Sequence, residues 1–347
     1  MARRLLWASL VLAPLAILLR LVADVGDVTL FIASAAALVP LAWLIGEATE
    51  HAAEHTGPGV GGFLNATFGN APELIIALFA VGDGLPDVVR GSLTGSIVSN
   101  LLLVLGVAVV LGSERLLDAR SLLEQLGLVL VACLLLLVPS VPGWSGDPDR
   151  HGLAVLTVPI ALLLIALYVV ATPLSLRRHR RQHQAAETRD ITGWSLRTAI
   201  IALAAATAVT AVVSELLVSS LEEFAHAAHM SQFFIAAVIV AIVGNAAEHG
   251  GAVVVARRGK MRLASEIAVS SATQVALLVV PAVAIISWLI RPSLALAFRP
   301  VELATMVAAT VVVAVVVRDA KGTRREGLIM LGAYALIVLA YWLSGER

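Results

Sequence analysis

The stretch Gly69-Asn70-Ala71-Pro72-Glu73 lies inside an otherwise apolar run that extends from Val60 to Val81. A carboxylate at the centre of a bilayer costs roughly 2.5–3.5 kcal/mol on insertion scales, so an acidic residue there is a candidate functional residue. The glycine, asparagine and proline before Glu73 weaken a helix and free backbone groups to contact a ligand. A second copy, Gly244-Asn245-Ala246-Ala247-Glu248, follows 175 residues later. We call these two stretches the acidic motifs.

The composition is that of an integral membrane protein. Of the 347 residues, 59% are hydrophobic and 14% are charged, and the mean hydropathy is +0.94. Soluble domains contain about 45–50% apolar and about 25% charged residues. At about 20 apolar residues per span, the sequence predicts an all-α membrane protein with about eleven transmembrane helices. These helices are expected near residues 5–22, 28–46, 60–82, 91–112, 123–140, 152–174, 197–219, 231–256, 263–290, 298–317 and 327–344.

The predicted helices divide into an extra N-terminal helix (residues 1–26) and two groups of five (27–174 and 197–347). A basic cytoplasmic linker at 175–196 joins the two groups. Because five is an odd number, the second group is inverted relative to the first. Of the 24 lysine and arginine residues, 18 fall in alternate loops, which predicts a cytoplasmic N-terminus and an outward-facing C-terminus. A signal peptide is the alternative for the first helix, but no small-residue cleavage site follows it.

A second repeated feature follows each acidic motif. The stretch Gly95-Ser96-Ile97-Val98-Ser99-Asn100 aligns, at a shift of 174 residues, with Val269-Ser270-Ser271-Ala272-Thr273-Gln274. Ser96 and Asn100 are four residues apart, as are Ser270 and Gln274, so each pair lies on one helical face. Inverted repeats with interrupted helices are typical of secondary transporters, which bind their substrate near the membrane midplane. We therefore expect the two acidic motifs to face each other there.

The side chains of this expected site suit a hard cation. Glu73 and Glu248 supply two carboxylates, and the neighbouring amides, hydroxyls and freed carbonyls supply further oxygens. A flexible oxygen cage suits Ca²⁺ better than Mg²⁺, which requires octahedral geometry. Two carboxylates neutralise one divalent ion and take up protons in a low dielectric when the ion leaves, which predicts cation–proton exchange. The residues predicted to line the site are Gly69, Asn70, Ser96, Ser99, Asn100, Gly244, Asn245, His249, Ser270, Ser271 and Gln274.

His249, beside Glu248, has two interpretations that the sequence leaves open. It either assists proton movement or is simply hydrogen-bonded inside the helix bundle.

With these residues in view, the sequence resembles the Ca²⁺/H⁺ antiporters, the CAX family of the cation/Ca²⁺ exchanger superfamily. The resemblance rests on the stretches at 46–50, 61–76, 244–249 and 270–277, and it covers the full length. It implies a sodium/calcium exchanger-like fold, Ca²⁺ as the transported substrate, H⁺ as the counter-ion and no cofactor. It also implies that Glu73 and Glu248 are the ion ligands and proton carriers, and that the other residues of the site line it.

Two departures from the family pattern are visible. The family often has an acidic segment between its halves, whereas this linker is basic over residues 177–181. Pro72 stands where the second acidic motif has Ala247, so the two helix breaks need not be equally sharp.

The Na⁺/Ca²⁺ exchangers of the superfamily have an additional acid on one of the helices that here bear Asn100 and Gln274. Asn100 and Gln274 carry no charge, which favours H⁺ as the counter-ion. A Na⁺/Ca²⁺ or other divalent-cation exchanger is the alternative.

A different class of function is indicated by His51-Ala52-Ala53-Glu54-His55, which matches the H-x-x-E-H pattern of inverzincin metalloproteases. In that alternative the protein is a membrane zinc hydrolase that uses His51, Glu54 and His55, with the two histidines, four residues apart, as metal ligands. A third ligand would be needed, and nothing obvious in the sequence provides it. We predict a transporter and not an enzyme, in contact with the lipid bilayer and with no nucleic-acid partner. A homo-oligomer is compatible with the sequence, and the short loops favour a bacterial plasma membrane.

Overall fold

The computed structural model describes residues 2–22, 25–113, 115–183, 193–290 and 292–345, with side chains except at 2, 3, 57–60, 62, 63, 65, 66 and 172–183. Nearly all of these residues are helical, which confirms the predicted all-α fold. The first part of the chain forms α1 (Ala2–Ser9), α2 (Leu12–Val22), α3 (Asp27–Phe68), α4 (Ala71–Gly82), α5 (Pro86–Val98), α6 (Leu105–Leu111), α7 (Ala119–Ser140) and α8 (His151–His183). The second part forms α9 (Leu196–Ser219), α10 (Leu221–Ala228), α11 (Gln232–Ile235), α12 (Ala241–Gly244), α13 (Ala246–Arg257), α14 (Met261–Gln274), α15 (Val280–Ile290), α16 (Pro300–Val317) and α17 (Arg324–Ser344).

Three turns of π-helix lie close to the predicted site. They join α5 to α6 (Ser99–Val104), α11 to α12 (Ala236–Val240) and α14 to α15 (Val275–Val279). The first and third occupy equivalent places in the two repeats, directly after the polar stretches. Such turns widen a helix locally and are frequent at functional sites. A 3₁₀ turn, Val141–Trp144, extends α7.

The number of membrane-crossing helices differs from the prediction. Among the described residues, nine helices are long and apolar enough to cross a membrane. The number is ten if Leu221–Ala228 and Gln232–Gly244, bent by 107° relative to each other, form one span. The prediction of eleven is therefore not confirmed. The first acidic motif explains the difference, because the helix break at Asn70 leaves α4 with 12 residues. At about 1.5 Å per residue, α4 is shorter than the apolar core of a bilayer.

Helix α3 reverses direction within its length. A Cβ atom added to Gly61 would lie 2.9 Å from the carbonyl oxygen of Ala53, whereas residues eight apart in a straight helix are separated by about 12 Å. The chain therefore doubles back between these two residues. The spanning part of α3 reaches at least Thr56, ten residues beyond the predicted end, and the stretch before the first acidic motif is a separate helical segment.

Equivalent helices of the two repeats pack in equivalent pairs. Helix α7 packs on α14 as α16 packs on α5, and α8 packs on α15 as α17 packs on α6. The extra N-terminal segment, α1 and α2, lies against α3 and α9 at the periphery of the bundle. These contacts are those expected of two inverted five-helix repeats with an added helix.

The loops meet at two opposite ends of the bundle, in the alternation that the charge pattern predicts. At one end Gly322 donates a backbone hydrogen bond to Arg115 (2.8 Å), and Gly259 lies against Ser113. We call this the basic end, and it is defined by Arg115, Arg257, Arg258, Lys260 and Lys321. At the other end the buried Arg90 donates to Asp149 (2.7 Å) and to the carbonyl of Ala295 (3.2 Å). We call this the acidic end.

The linker predicted at 175–196 is partly a continuation of the helix before it. Helix α8 extends to His183, so the backbone of the basic run at 177–181 is helical, and α9 begins at Leu196. The side chains of that run, and residues 184–192 altogether, lie outside the described residues. The predicted cytoplasmic position of this basic run stays a prediction.

A buried extended segment precedes α16 at the acidic end. Residues 294–298 are apolar and buried, and their backbone groups are bonded by side chains instead of by a helix. The donors are the backbone N–H groups of Leu294, Leu296 and Phe298, which bond to the hydroxyls of Ser287, Thr157 and Ser140. Non-helical backbone is tolerated at such a place because these partners satisfy it within the protein.

Candidate cation-binding site

Each acidic motif interrupts a helix at its asparagine. Asn70 has φ −100° and ψ 16°, and Asn245 has φ −90° and ψ 9°. Both residues occupy the sparsely populated region between the helical and extended conformations. The two breaks therefore have nearly the same local geometry, although proline follows one and alanine follows the other. The sequence difference between Pro72 and Ala247 does not make them unequal.

The break places each carboxylate in the first turn of a new helix. Glu73 is the third residue of α4, and Glu248 is the third residue of α13. The helix before each break ends within a few residues, so its last carbonyl groups have no partner further along the helix. Each motif thus brings a carboxylate close to the carbonyl end of the preceding helix, and carboxylate and carbonyl oxygens are the ligands that a hard cation prefers.

Glu73 lies directly against the second acidic motif. A Cβ atom added to Gly244 would lie 3.5 Å from Cγ and 3.7 Å from Oε1 of Glu73. Glu73 is 6% exposed, and neither of its buried carboxylate oxygens accepts a hydrogen bond from the residues that the structure describes. Glu73 therefore contacts the second acidic motif at Gly244, four residues before Glu248, as expected of two motifs that face each other.

The asparagines of the two breaks bond across the repeats. Asn70 donates to Oε1 of Gln274 (2.8 Å). Asn245 donates to the hydroxyl of Ser96 (2.8 Å) and accepts from the amide of Asn100 (2.9 Å). Each break asparagine thus meets the polar stretch of the opposite repeat. The predicted lining residues thus form a network of two hydrogen-bonded groups, Asn70–Gln274–Ser270 and Ser96–Asn245–Asn100, and each group joins the two repeats.

The two halves of this network differ in burial. Asn70, Ser96, Ser99, Asn100 and Asn245 are all 0–1% exposed. Four residues of the second repeat are only half-buried, namely Glu248, His249, Ser270 and Gln274, while Ser271 is 3% exposed. The second-repeat side of the site is therefore the more accessible one. Of the two open interpretations of His249, a structural hydrogen bond has no support, since its Nε2 bonds to no described residue.

On the side towards the acidic end, the site is almost closed. A cavity of about 10 Å³ lies beside Glu73 and is lined also by Ser92, Ser96, Ala241 and Gly244, among others. That volume is near the minimum for a single water molecule. Sequence reasoning missed Ser92, although it precedes Ser96 by four residues and therefore shares its helical face.

Glycines allow the helices of the two repeats to approach closely next to the site. A Cβ atom on Gly95 would lie 1.9 Å from the carbonyl oxygen of Ala237, and one on Gly91 would lie 2.9 Å from the ring of Phe233. Gly91 and Gly95 thus form a small-residue face of the kind that brings membrane helices together. This contact presses Ser96 and Asn100 against the second acidic motif.

The histidine motif at 51–55 packs against the residues that follow the linker. His51 stacks on Trp194 with a ring separation of 5.1 Å, and Nε2 of His55 hydrogen-bonds to the carbonyl of Trp194 (2.8 Å). His51 is also 3.5 Å from Glu54. No group of three or more metal-ligating side chains occurs in the described parts of the chain. The motif fastens the start of α9 to α3, and its geometry gives no support to a zinc centre.

The chain was compared with known proteins. The model of the family described as sodium/calcium exchanger protein matches residues 27–177 and 198–343. The chain is 38% identical over 327 residues to the Ca²⁺/H⁺ antiporter ChaA of Bacillus subtilis (strain 168), which covers 90% of this chain and 92% of that protein.

Solved structures give the same picture of the fold. The crystal structure of the Ca²⁺/H⁺ antiporter protein YfkE is 33% identical and superposes with a TM-score of 0.84, covering 98% of this chain and 99% of that one. The crystal structure of the H⁺/Ca²⁺ exchanger CAX is 17% identical, with a TM-score of 0.73 over 98% and 92% of the two chains. The second likeness concerns the fold alone.

Proposed function

Because the chain belongs to the sodium/calcium exchanger protein family, we propose that it exchanges Ca²⁺ for H⁺ across a membrane by alternating access. It is a transporter and not an enzyme, in agreement with the sequence-based prediction. In the proposed cycle, Glu73 and Glu248 bind one Ca²⁺ or protons in turn. Ca²⁺ and H⁺ are therefore substrates and not cofactors.

The observation that carries the proposal is the environment of Glu73. Its carboxylate is buried, accepts no hydrogen bond from any described residue, and lies beside a second carboxylate. An uncompensated charge in such a place costs several kcal/mol, and two adjacent charges cost more. A divalent cation or protons remove that cost, and one excludes the other because both neutralise the same oxygens. Competition for a single pair of carboxylates is what couples the two fluxes.

The hydrogen bonds between the repeats support alternating access. The Asn70–Gln274 and Asn245–Asn100 pairs join residues that belong to opposite repeats. A relative movement of the repeats changes both pairs at once, and each bond is worth only about 0.5–1.5 kcal/mol. Such a linkage is strong enough to define a closed state and weak enough to be broken in each cycle. The inverted repeats supply a second arrangement of comparable energy.

The amide side chains at the equivalent positions of the two polar stretches favour protons as the counter-ion. Asn100 donates to Asn245 and to the carbonyl of Ser96 (3.0 Å), and Gln274 accepts from Asn70. Both amides are thus engaged in bonds that hold the repeats together. Neither adds a negative charge for a further monovalent cation. A Na⁺/Ca²⁺ or other divalent-cation exchanger on the same fold is the second candidate, since the family description itself includes sodium.

The protein is an integral membrane protein. We place it in a bacterial plasma membrane, with the basic end towards the cytoplasm by the positive-inside rule. Trp7 of α1 packs on Trp194 near the basic end, and Gly345 accepts a hydrogen bond from Arg299 at the acidic end (3.0 Å). The N-terminus would then be cytoplasmic and the C-terminus outside. An inward proton-motive force would then drive Ca²⁺ out of the cell.

The proposal is tested by Ca²⁺ uptake into inside-out membrane vesicles with an acid interior. We expect uptake to follow the proton gradient and to fall to background in Glu73→Gln and in Glu248→Gln. Glutamine keeps the size of the side chain, and no hydrogen bond to Glu73 is lost. Glu223→Gln is the matched control because Glu223 is exposed on α10, and it should transport like the wild type.

Two results would contradict the proposal. Uptake that ignores the proton gradient would exclude H⁺ as the counter-ion, and uptake that survives both substitutions would exclude the two carboxylates. Replacing the proton gradient by a sodium gradient separates the second candidate, because only a Na⁺/Ca²⁺ exchanger would then accumulate Ca²⁺.

A further inference from the structure

A third carboxylate lies on the helix that bears Ser270 and Gln274. Glu266 precedes Ser270 by four residues and Gln274 by eight, so the three side chains follow one broad face of α14. Helix α14 starts at Met261, next to the basic end. A rise of about 1.5 Å per residue puts Glu266 about 12 Å from Gln274 in that direction.

This face of α14 is the accessible one. Glu266, Ser270 and Gln274 are half-buried, as is Ile267, whereas several neighbouring residues of α14 are fully buried. The buried positions are Ser265, Ala268, Val269 and Ala272, each 0% exposed. The accessible face therefore leads from the basic end to the second-repeat side of the candidate site.

Hydrogen bonds link polar side chains at both ends of this face. Near the site, Gln274 donates to the hydroxyl of Ser270 (3.3 Å) and accepts from Asn70 (2.8 Å). Towards the basic end, Oε2 of Glu266 accepts from the amide of Gln125 on α7 (2.7 Å). The side chains of Glu266, Ser270 and Gln274 therefore form a row of polar groups that ends at Asn70, three residues before Glu73.

The equivalent position in the first repeat has no charge. The shift of 174 residues places Ser92 opposite Glu266. Ser92 is 7% exposed, its hydroxyl donates to the carbonyl of Val89 (3.1 Å), and it lines the closed cavity of about 10 Å³. The two sides of the candidate site are therefore related by the repeat but differ by one carboxylate, which lies on the side of the basic end.

We propose that Glu266 is a transient cation-binding residue on the route between the basic end and Glu73. This inference rests on the proposed function and names a residue that acts before the exchange site. A carboxylate in a narrow, partly desolvated route concentrates cations and raises their rate of arrival. It offsets the repulsion of Ca²⁺ by the arginines and lysines of the basic end. On the side of the acidic end, the equivalent position is the uncharged Ser92.

The experiment compares Ca²⁺ transport from the two faces of the membrane in Glu266→Gln. Inside-out and right-side-out vesicles are both given an acid interior, and Ca²⁺ is added outside. A membrane-impermeant thiol reagent on an Arg258→Cys variant reports which vesicles expose the basic end. We expect the KM for Ca²⁺ presented at the basic end to rise about 3-fold or more with Vmax unchanged. The KM for Ca²⁺ presented at the acidic end should stay at the wild-type value.

Two control variants separate this role from general charge and from packing. Glu124→Gln removes an exposed carboxylate of α7 that pairs with Arg120, and its KM should be unchanged at both faces. Gln125→Leu removes the hydrogen bond to Glu266 but keeps the carboxylate, and it should leave the KM at the basic end close to wild type.

A purely structural role for Glu266 would give a different result. If Gln125→Leu and Glu266→Gln change transport equally, the residue only fastens α14 to α7, and the proposal is overturned. An unchanged KM in Glu266→Gln, or an equal change at both faces, overturns it too. Wild-type vesicles distinguish the two levels of inference, since a failure of proton-driven uptake there refutes the proposed function itself.

Discussion

Gly95→Ala would place a methyl group where two helices of different repeats already touch. The added Cβ would lie 1.9 Å from the carbonyl oxygen of Ala237 and 2.6 Å from its carbonyl carbon. Ala237 belongs to the π-helical turn Ala236–Val240, so the obstacle is backbone and cannot rotate away. The contact is relieved only if the helices move apart.

The required movement sets the size of the effect. Carbon and carbonyl oxygen approach to about 3.3 Å at closest in ordinary contacts, so α5 must shift by more than about 1 Å. Overpacking of this kind costs about 1–3 kcal/mol, and a rigid neighbour puts the cost near the upper value. Alanine regains about 1 kcal/mol because it is a better helix former than glycine. The net result is a loss of about 1–2 kcal/mol of stability.

The same shift moves Ser96 away from Asn245, so transport should fall together with stability. The melting temperature in detergent and the rate of Ca²⁺ uptake measure the two effects. Gly127→Ala is the matched control, because Gly127 lies inside α7 and has nothing within 4 Å of an added Cβ. It should gain up to about 1 kcal/mol. A Gly95→Ala protein that melts at or above the wild-type temperature would refute the reasoning.

Two further predictions concern the site itself. The KM for Ca²⁺ should rise as the pH on the Ca²⁺ side falls, because protons compete for Glu73 and Glu248. The logarithm of the KM should change by up to about two per pH unit, because two carboxylates take part. Initial uptake rates at a fixed interior pH measure this effect. A KM that does not depend on the pH of the Ca²⁺ side would exclude competition. Ser270→Cys should react with a water-soluble thiol reagent, and Ser96→Cys should not, because Ser270 is half-buried and Ser96 is 1% exposed. Mass spectrometry detects the adduct, and the native Cys133 contributes little background because it is buried. Equal labelling of both variants would contradict the difference in burial.

The pairing of residues across the repeats could be predicted from the sequence. A polar residue in a membrane segment is costly, so its repetition at a constant shift identifies the groups that must meet. The neighbourhood of Glu73 and Gly244 and the bond between Asn70 and Gln274 both follow from that logic. The assignment of ion-binding roles to these residues stays a prediction.

Other features could not be predicted because apolar runs have no distinguishing period. Residues 294–298 are extended, although their apolar composition suits a helix equally well. Pro300 excludes only Arg299 from the helical region, and Arg299 accordingly has φ −67° and ψ 156°. The extended backbone before it is bonded by the hydroxyls of Ser287, Thr157 and Ser140, which lie far away in the sequence or on other helices. The reversal within α3 lies near the connection expected between the helices at 28–46 and 60–82, but the helical state of the connecting residues could not be predicted.

Under the proposed function, symmetric contacts combined with asymmetric burial are what a site needs to serve the two sides of a membrane in turn. Each break asparagine bonds to the opposite repeat, yet Glu73 is closed off beside a cavity of about 10 Å³ while Glu248 is half-buried. A symmetric set of partners with unequal burial describes one of two states that differ by exchange of the environments of the repeats. Under the proposed function, the buried carboxylate of Glu73 prevents that exchange while it is charged and unpaired. Only neutralisation by Ca²⁺ or by protons makes both states accessible, and this requirement excludes an uncoupled leak of either ion.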